Sequence, residues 1–125
     1  MQDIKKNGIL MLVILIFLVL GFSKEAFAGD IILNDLNGKT VNLSGYKGKP
    51  MILFFWTTWC PYCRQELKTL TNLYPQMKKE GITVFAVNIG ESSYTVQRFF
   101  ASHNPGFAVL LDIDEAAASK YNVIG

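Results

Sequence analysis

The chain has 125 residues, half of them hydrophobic, with 12 Lys and Arg, 10 Asp and Glu, one His and two Cys. That length holds one domain plus an extra segment, and the near-balanced charge gives no reason to expect nucleic acid or an acidic surface as a partner. Two cysteines three residues apart close almost no loop, so they exclude a disulfide-stapled scaffold.

Residues 1–28 have the three parts of an export signal. Lys5 and Lys6 precede an apolar run from Ile9 to Leu20, and Ala26-Phe27-Ala28 offers a small-residue cleavage site after Ala28. The run is shorter than the roughly 20 residues usual for a spanning helix. Cleavage and retention as a membrane anchor both stay open. In either case the lysines keep the N-terminus cytoplasmic and send the rest of the chain outside the cytoplasmic membrane. Beyond residue 28, nine of the 12 basic and eight of the 10 acidic residues remain, a net charge of +1.

Residues 29–125 read as one α/β domain. Ile31-Ile32-Leu33 and Thr40-Val41-Asn42-Leu43 flank Asn37-Gly38, a strong hairpin signal. After a loop through Gly48-Lys49-Pro50, the apolar and aromatic run Met51 to Trp56 predicts a buried strand. Leu67, Leu70, Leu73, Tyr74 and Met77, at three- and four-residue spacings, predict a helix that Pro75 should kink or split. A second buried strand follows over Ile82 to Ile89. A helix over Thr95 to Ser102 would turn Val96, Phe99 and Phe100 to the core. Ala108 to Leu111 reads as a short strand and Glu115 to Tyr121 as a last helix. Strands alternating with helices imply a mainly parallel central sheet flanked by helices, with the hairpin at its N-terminal end.

Between the first of these buried strands and its helix stands Trp59-Cys60-Pro61-Tyr62-Cys63. Backbone N–H groups at a helix start lack intrahelical partners and the dipole there is positive, so a thiolate is favoured. Pro61 suits the first turn, where a missing N–H costs nothing. Structural zinc would need two more Cys or His, and only His103 remains; haem attachment would need His where Arg64 stands. No metal and no cofactor are expected. A dithiol–disulfide couple is the reading that the context supports. Cys60, at the helix start, is the expected nucleophile, and Cys63, on the same face, the resolving thiol.

The strand, the Trp-Cys-X-X-Cys and the long helix resemble the thioredoxin superfamily. Thr83-Val84-Phe85-Ala86-Val87-Asn88-Ile89-Gly90-Glu91-Ser92, Leu110-Leu111-Asp112-Ile113-Asp114 and Ala118-Ser119-Lys120-Tyr121-Asn122-Val123 narrow the likeness to membrane-associated TlpA/ResA-like thiol-disulfide oxidoreductases. The resemblance implies a protein disulfide substrate such as apocytochrome c, a membrane thiol protein as electron donor, and often a retained N-terminal anchor. It implies that Pro61 and Tyr62 tune the couple, that Trp59 borders the substrate surface, and that Glu66 is an active-site glutamate that raises the thiol pKa values by like-charge repulsion. Two departures stand out. Phe54 occupies the place of thioredoxin's buried Asp, and no proline follows Pro105, so the cis-proline loop of these folds has no counterpart here. Those folds continue into two more strands and a helix, so the sequence reads as C-terminally truncated. Two other readings compete: a peroxiredoxin-like peroxidase, favoured by Thr57 three before Cys60 but not by Leu53 where a proline is expected, and an inactive binding module. Glu91, in the loop after the second buried strand, can face the site, though a surface role is the stronger reading. Asp112 and Asp114 read as loop and helix-cap residues, and His103 as an exposed helix-end residue.

Overall fold

A computed structural model describes residues 30–124. The export-like segment lies outside the described residues. Five strands form one sheet: β1 (Ile32–Asp35), β2 (Thr40–Asn42), β3 (Met51–Trp56), β4 (Thr83–Ile89) and β5 (Ala108–Asp112). Their order is β2-β1-β5-β4-β3. β3, β4 and β5 are mutually parallel, and β1 runs antiparallel to both β2 and β5. Helix α1 (Pro61–Lys79) connects β3 to β4, α2 (Ser93–Phe99) connects β4 to β5, and α3 (Ala116–Lys120) follows β5.

Alternation along the central strands divides the core into two layers. Val84 and Ala86 of β4, with Trp56, Val109 and Leu111, meet Leu67 of α1 and Val96 of α2. Phe85 and Val87, with Leu33 and Leu110, meet Leu43 and Ala117 on the opposite face. β4 is buried on both faces, which is why its sequence is an almost unbroken apolar run. The hairpin turns where Asn-Gly predicts it. Asp35 Oδ1 accepts from the Asn37 N–H at 2.8 Å and the Lys39 N–H at 2.9 Å, while Gly38 takes a φ of +79°. A short 3-10 turn at Leu43–Tyr46 was not predicted; the Asn42 side chain caps it by accepting from the Ser44 N–H at 2.9 Å.

Four expectations need correction. The strand Met51–Trp56 lies at the sheet edge of the described residues, and only Trp56 in it is buried. Helix α1 runs unbroken through Pro75. The proline removes one N–H bond four residues from the helix end, while Leu67, Leu70, Tyr74 and Met77 hold both sides of it against the core. Leu73 is exposed, because its spacing from Leu70 and Tyr74 leaves it on the outer flank of the apolar stripe. The second helix begins two residues earlier than predicted, since the Ser92 hydroxyl caps it by accepting from the Thr95 N–H at 3.2 Å.

The cap reading of the two aspartates holds. Asp112, fully buried, accepts from the Ala117 N–H at 3.0 Å and the Ala118 N–H at 2.8 Å, and Asp114 accepts from the Ala116 N–H at 3.2 Å. Both carboxylates are committed to the start of α3. His103 is exposed just past α2, with its N–H on the Phe100 carbonyl.

Candidate active site

β3 ends at Trp56, whose indole packs against Phe99 and Phe100 with ring centroids 5.0 and 5.4 Å away. The turn Thr57–Trp59 then leads to Cys60, the N-cap of α1. Cys60 and Cys63 are joined as a disulfide, with Cα atoms 5.2 Å apart. The Cys63 N–H points at Cys60 Sγ, 3.2 Å away. In the reduced form this N–H and the helix dipole both stabilise negative charge on the Cys60 sulfur, and Pro61 occupies the first turn without wasting a donor.

The pair opens onto a cleft of about 610 Å³, whose walls include Trp59, Glu91, Glu115 and Val123. Trp59 is 70% exposed and Tyr62 82% exposed, so two aromatic rings stand in solvent beside the sulfurs. Large exposed aromatics around a reactive group supply apolar contact area for a partner chain. Glu66 lies on the exposed side of α1, one turn beyond Cys63, and is not among the cleft residues.

Glu91 is the site residue that the sequence reading underrated. It sits just past β4, half-buried, in the cleft wall. Its carboxylate accepts from the Thr58 N–H at 2.8 Å, from the Thr58 hydroxyl at 2.6 Å and from Asn88 Nδ2 at 2.6 Å. Burial pushes the carboxyl up, but the bonds from Asn88 and Thr58 outweigh it and hold the pKa below the ordinary glutamate value. The three bonds are therefore complete at neutral pH, and the stability they contribute is lost as pH falls through that lowered value. The available signal was position: Glu91 follows the carboxyl end of a central parallel strand, where α/β folds gather their sites.

Among the described residues, no group of three or more His, Cys, Asp or Glu is placed to hold a metal ion, and no helix is long and apolar enough to cross a membrane.

The sequence model of the AhpC/TSA family matches residues 25–125. The chain belongs to the AhpC/TSA family. As an AhpC/TSA member it is 40% identical over 101 residues to thiol-disulfide oxidoreductase ResA of Bacillus subtilis, covering 81% of this chain and 56% of that protein. It is 32% identical over 136 residues to the ResA of Bacillus cereus, covering 96% of this chain and 79% of that one. It therefore belongs with the ResA-type members that the thioredoxin-like resemblance pointed to. The chain spans just over half the length of the Bacillus subtilis relative. The same fold occurs in the crystal structure of a secreted Mycobacterium tuberculosis disulfide oxidoreductase homologous to Escherichia coli DsbE. That match has a TM-score of 0.68 at 28% identity, over 75% of this chain and 69% of that one. The α/β, thioredoxin-like architecture expected from the sequence is thus the one observed.

Proposed function

We propose that this chain is an exported thiol-disulfide oxidoreductase, working as a dithiol reductant of protein disulfides. The observation that carries the reading is the Cys60–Cys63 pair at the N-cap of α1, open to a cleft that exposed Trp59 borders. In the reduced form the Cys60 thiolate attacks one sulfur of the substrate disulfide. A mixed disulfide forms and one substrate thiolate leaves, taking up a proton. The Cys63 thiolate then attacks Cys60 Sγ, the second substrate thiolate leaves, and the Cys60–Cys63 disulfide closes. The substrate gains two electrons and two protons, and the chain loses them. Trp59, Pro61 and Tyr62 form the exposed surface that meets the substrate. Apocytochrome c fits the substrate class because its paired cysteines must be reduced before haem attaches. A membrane thiol protein would return the electrons. The test is reduction of a protein disulfide by the reduced full chain: exchange that Cys60→Ser abolishes supports the reading, and exchange that survives Cys60→Ser sinks it.

The export-like pattern of residues 1–28 supports a location outside the cytoplasmic membrane. A reporter active only in the cytoplasm, fused after Gly125, should stay silent; clear activity reverses the assignment.

Glu66 is proposed to act on the thiols through its charge, one helical turn from Cys63. Glu66→Gln keeps the shape and removes the charge. The alkylation rate of the reduced pair, followed against pH, should then shift to lower pH, and only modestly because Glu66 is exposed and screened. The two thiols titrate as a set, so the curve belongs to the pair. A curve that does not move leaves Glu66 as an ordinary helix-surface residue.

A further inference from the structure

We propose that Glu91 is a positioning residue for Cys60: seated on buried Asn88, its carboxylate grips Thr58 from the strand side while Arg64 grips the same residue from the helix side, and this fixes the turn that presents the sulfur. The proposal rests on the reading of Cys60 as nucleophile.

The turn is weakly held by its own backbone. Its internal bond, from the Cys60 N–H to the Thr57 carbonyl, is 3.4 Å long, well beyond the usual 2.9–3.0 Å. The strong bonds come from outside. The Thr58 N–H and hydroxyl both go to Glu91, at 2.8 and 2.6 Å, and the Thr58 carbonyl accepts from Arg64 Nε at 2.8 Å. Every polar group of Thr58 is thus committed to another part of the chain. Bonds to an ionised carboxylate are roughly twice as strong as neutral ones. Asn88, fully buried at the end of β4, supplies the fixed seat through Nδ2. Gly90 allows the reach: it takes a φ of +70°, and a Cβ there would stand 2.9 Å from Glu115 Oε1.

The chemistry explains why such a grip matters. Thiol–disulfide exchange joins two sulfurs and expels a third, so rate depends on how the nucleophile is aimed as well as on its thiolate fraction. A carboxylate beside the cleft disfavours the thiolate by like charge. Glu91 therefore contributes through geometry and not by acidifying the thiol.

Hydrogen bonding separates geometry from charge. In Glu91→Gln, the amide oxygen accepts from the Thr58 N–H and Asn88 Nδ2, and the amide nitrogen donates to the Thr58 hydroxyl. The grip is kept and the charge removed. Glu91→Ala removes both. With the reduced full chain and a protein disulfide at neutral pH, Glu91→Ala should slow exchange on the order of tenfold, and Glu91→Gln should restore most of that loss. Amide hydrogen exchange reads the same grip without activity. Thr58 and Cys60 should lose protection in Glu91→Ala, regain it in Glu91→Gln, and leave the β4 amides unaffected in both. A Gln variant as slow as the Ala variant overturns the proposal in favour of charge. An Ala variant that matches the parent in rate and protection overturns it outright. Should Glu91→Ala fail to fold, Thr58→Val decides, because it removes only the hydroxyl arm: slowed exchange upholds the grip, and parent-like exchange refutes it. If the parent chain exchanges with no protein disulfide, the role of Cys60 fails. Amide protection then settles the grip by itself, upheld by a loss confined to Thr58 and Cys60 and refuted by none.

Discussion

Cys63→Ser should accumulate a covalent adduct between the chain and its substrate, and turnover should be lost. The asymmetry follows from where α1 places the two sulfurs. Cys60 is the N-cap, with the Cys63 N–H at 3.2 Å, and it follows a turn exposed at Trp59; Cys63 lies inside the first turn and packs against the core layer that includes Leu67 and Trp56. On the proposed mechanism, an incoming disulfide should meet Cys60 first. Without the Cys63 thiol, the mixed disulfide has no intramolecular attacker, and only external thiol can release it. Non-reducing gels should show the adduct with Cys63→Ser, its disappearance on adding dithiothreitol, and no adduct with Cys60→Ser. An adduct formed by Cys60→Ser instead would exchange the two roles. An adduct from neither would remove the dithiol mechanism altogether.

How much of this was legible in the sequence differs from element to element. β4 was readable to within a residue, because its apolar run needs no partner to be recognised and burial on both faces follows from it. The hairpin was readable because Asn37-Gly38 permits the left-handed turn whatever surrounds it. The strand Met51–Trp56 was correctly bounded but wrongly buried. Apolar composition states which residues prefer to leave water, and it cannot state which neighbours arrive to cover them. Pro75 misled for a related reason: the local rule counts one lost hydrogen bond, while the tertiary contacts of Leu67, Leu70, Tyr74 and Met77 hold the helix on both sides. In the site, Cys60 and Cys63 were readable because spacing and helix position alone bring them together. Glu91 was not. Its partner Thr58 is 33 residues away in sequence, and only the parallel pairing of β3 with β4, which sets Trp56 opposite Asn88, brings the two loops side by side. Contacts of that kind lie in the register of the sheet, which no single stretch of sequence carries.

That same register makes Trp56 the residue whose loss should cost the fold most. It is 1% exposed, the largest of the fully buried side chains among the described residues, and packs in the core layer of Leu67 and Val96 against Phe99 and Phe100. Truncating a buried Trp to Ala removes its transfer free energy and leaves a cavity, a combined cost of about 3–5 kcal/mol. Single domains of this size have about 5–15 kcal/mol in all, so Trp56→Ala consumes a large share of it. Trp56→Phe is the informative partner. The indole Nε1 makes no hydrogen bond among the described residues, so a phenyl ring gives up volume but no polar interaction, and it keeps the contacts with both phenylalanines. Its cost should therefore be well under half that of Ala. The Ala cavity opens directly opposite Asn88, the seat of Glu91, and next to the turn that leads to Cys60. Loss of stability should thus come with faster amide exchange at Thr58, even under conditions where the variant stays folded. Urea unfolding of the parent and both variants, with the slope checked for constancy, measures the stabilities. A Trp56→Ala stability within about 1 kcal/mol of the parent would show that the aromatic cluster closes over the gap, and that the end of β3 owes its position to the sheet alone.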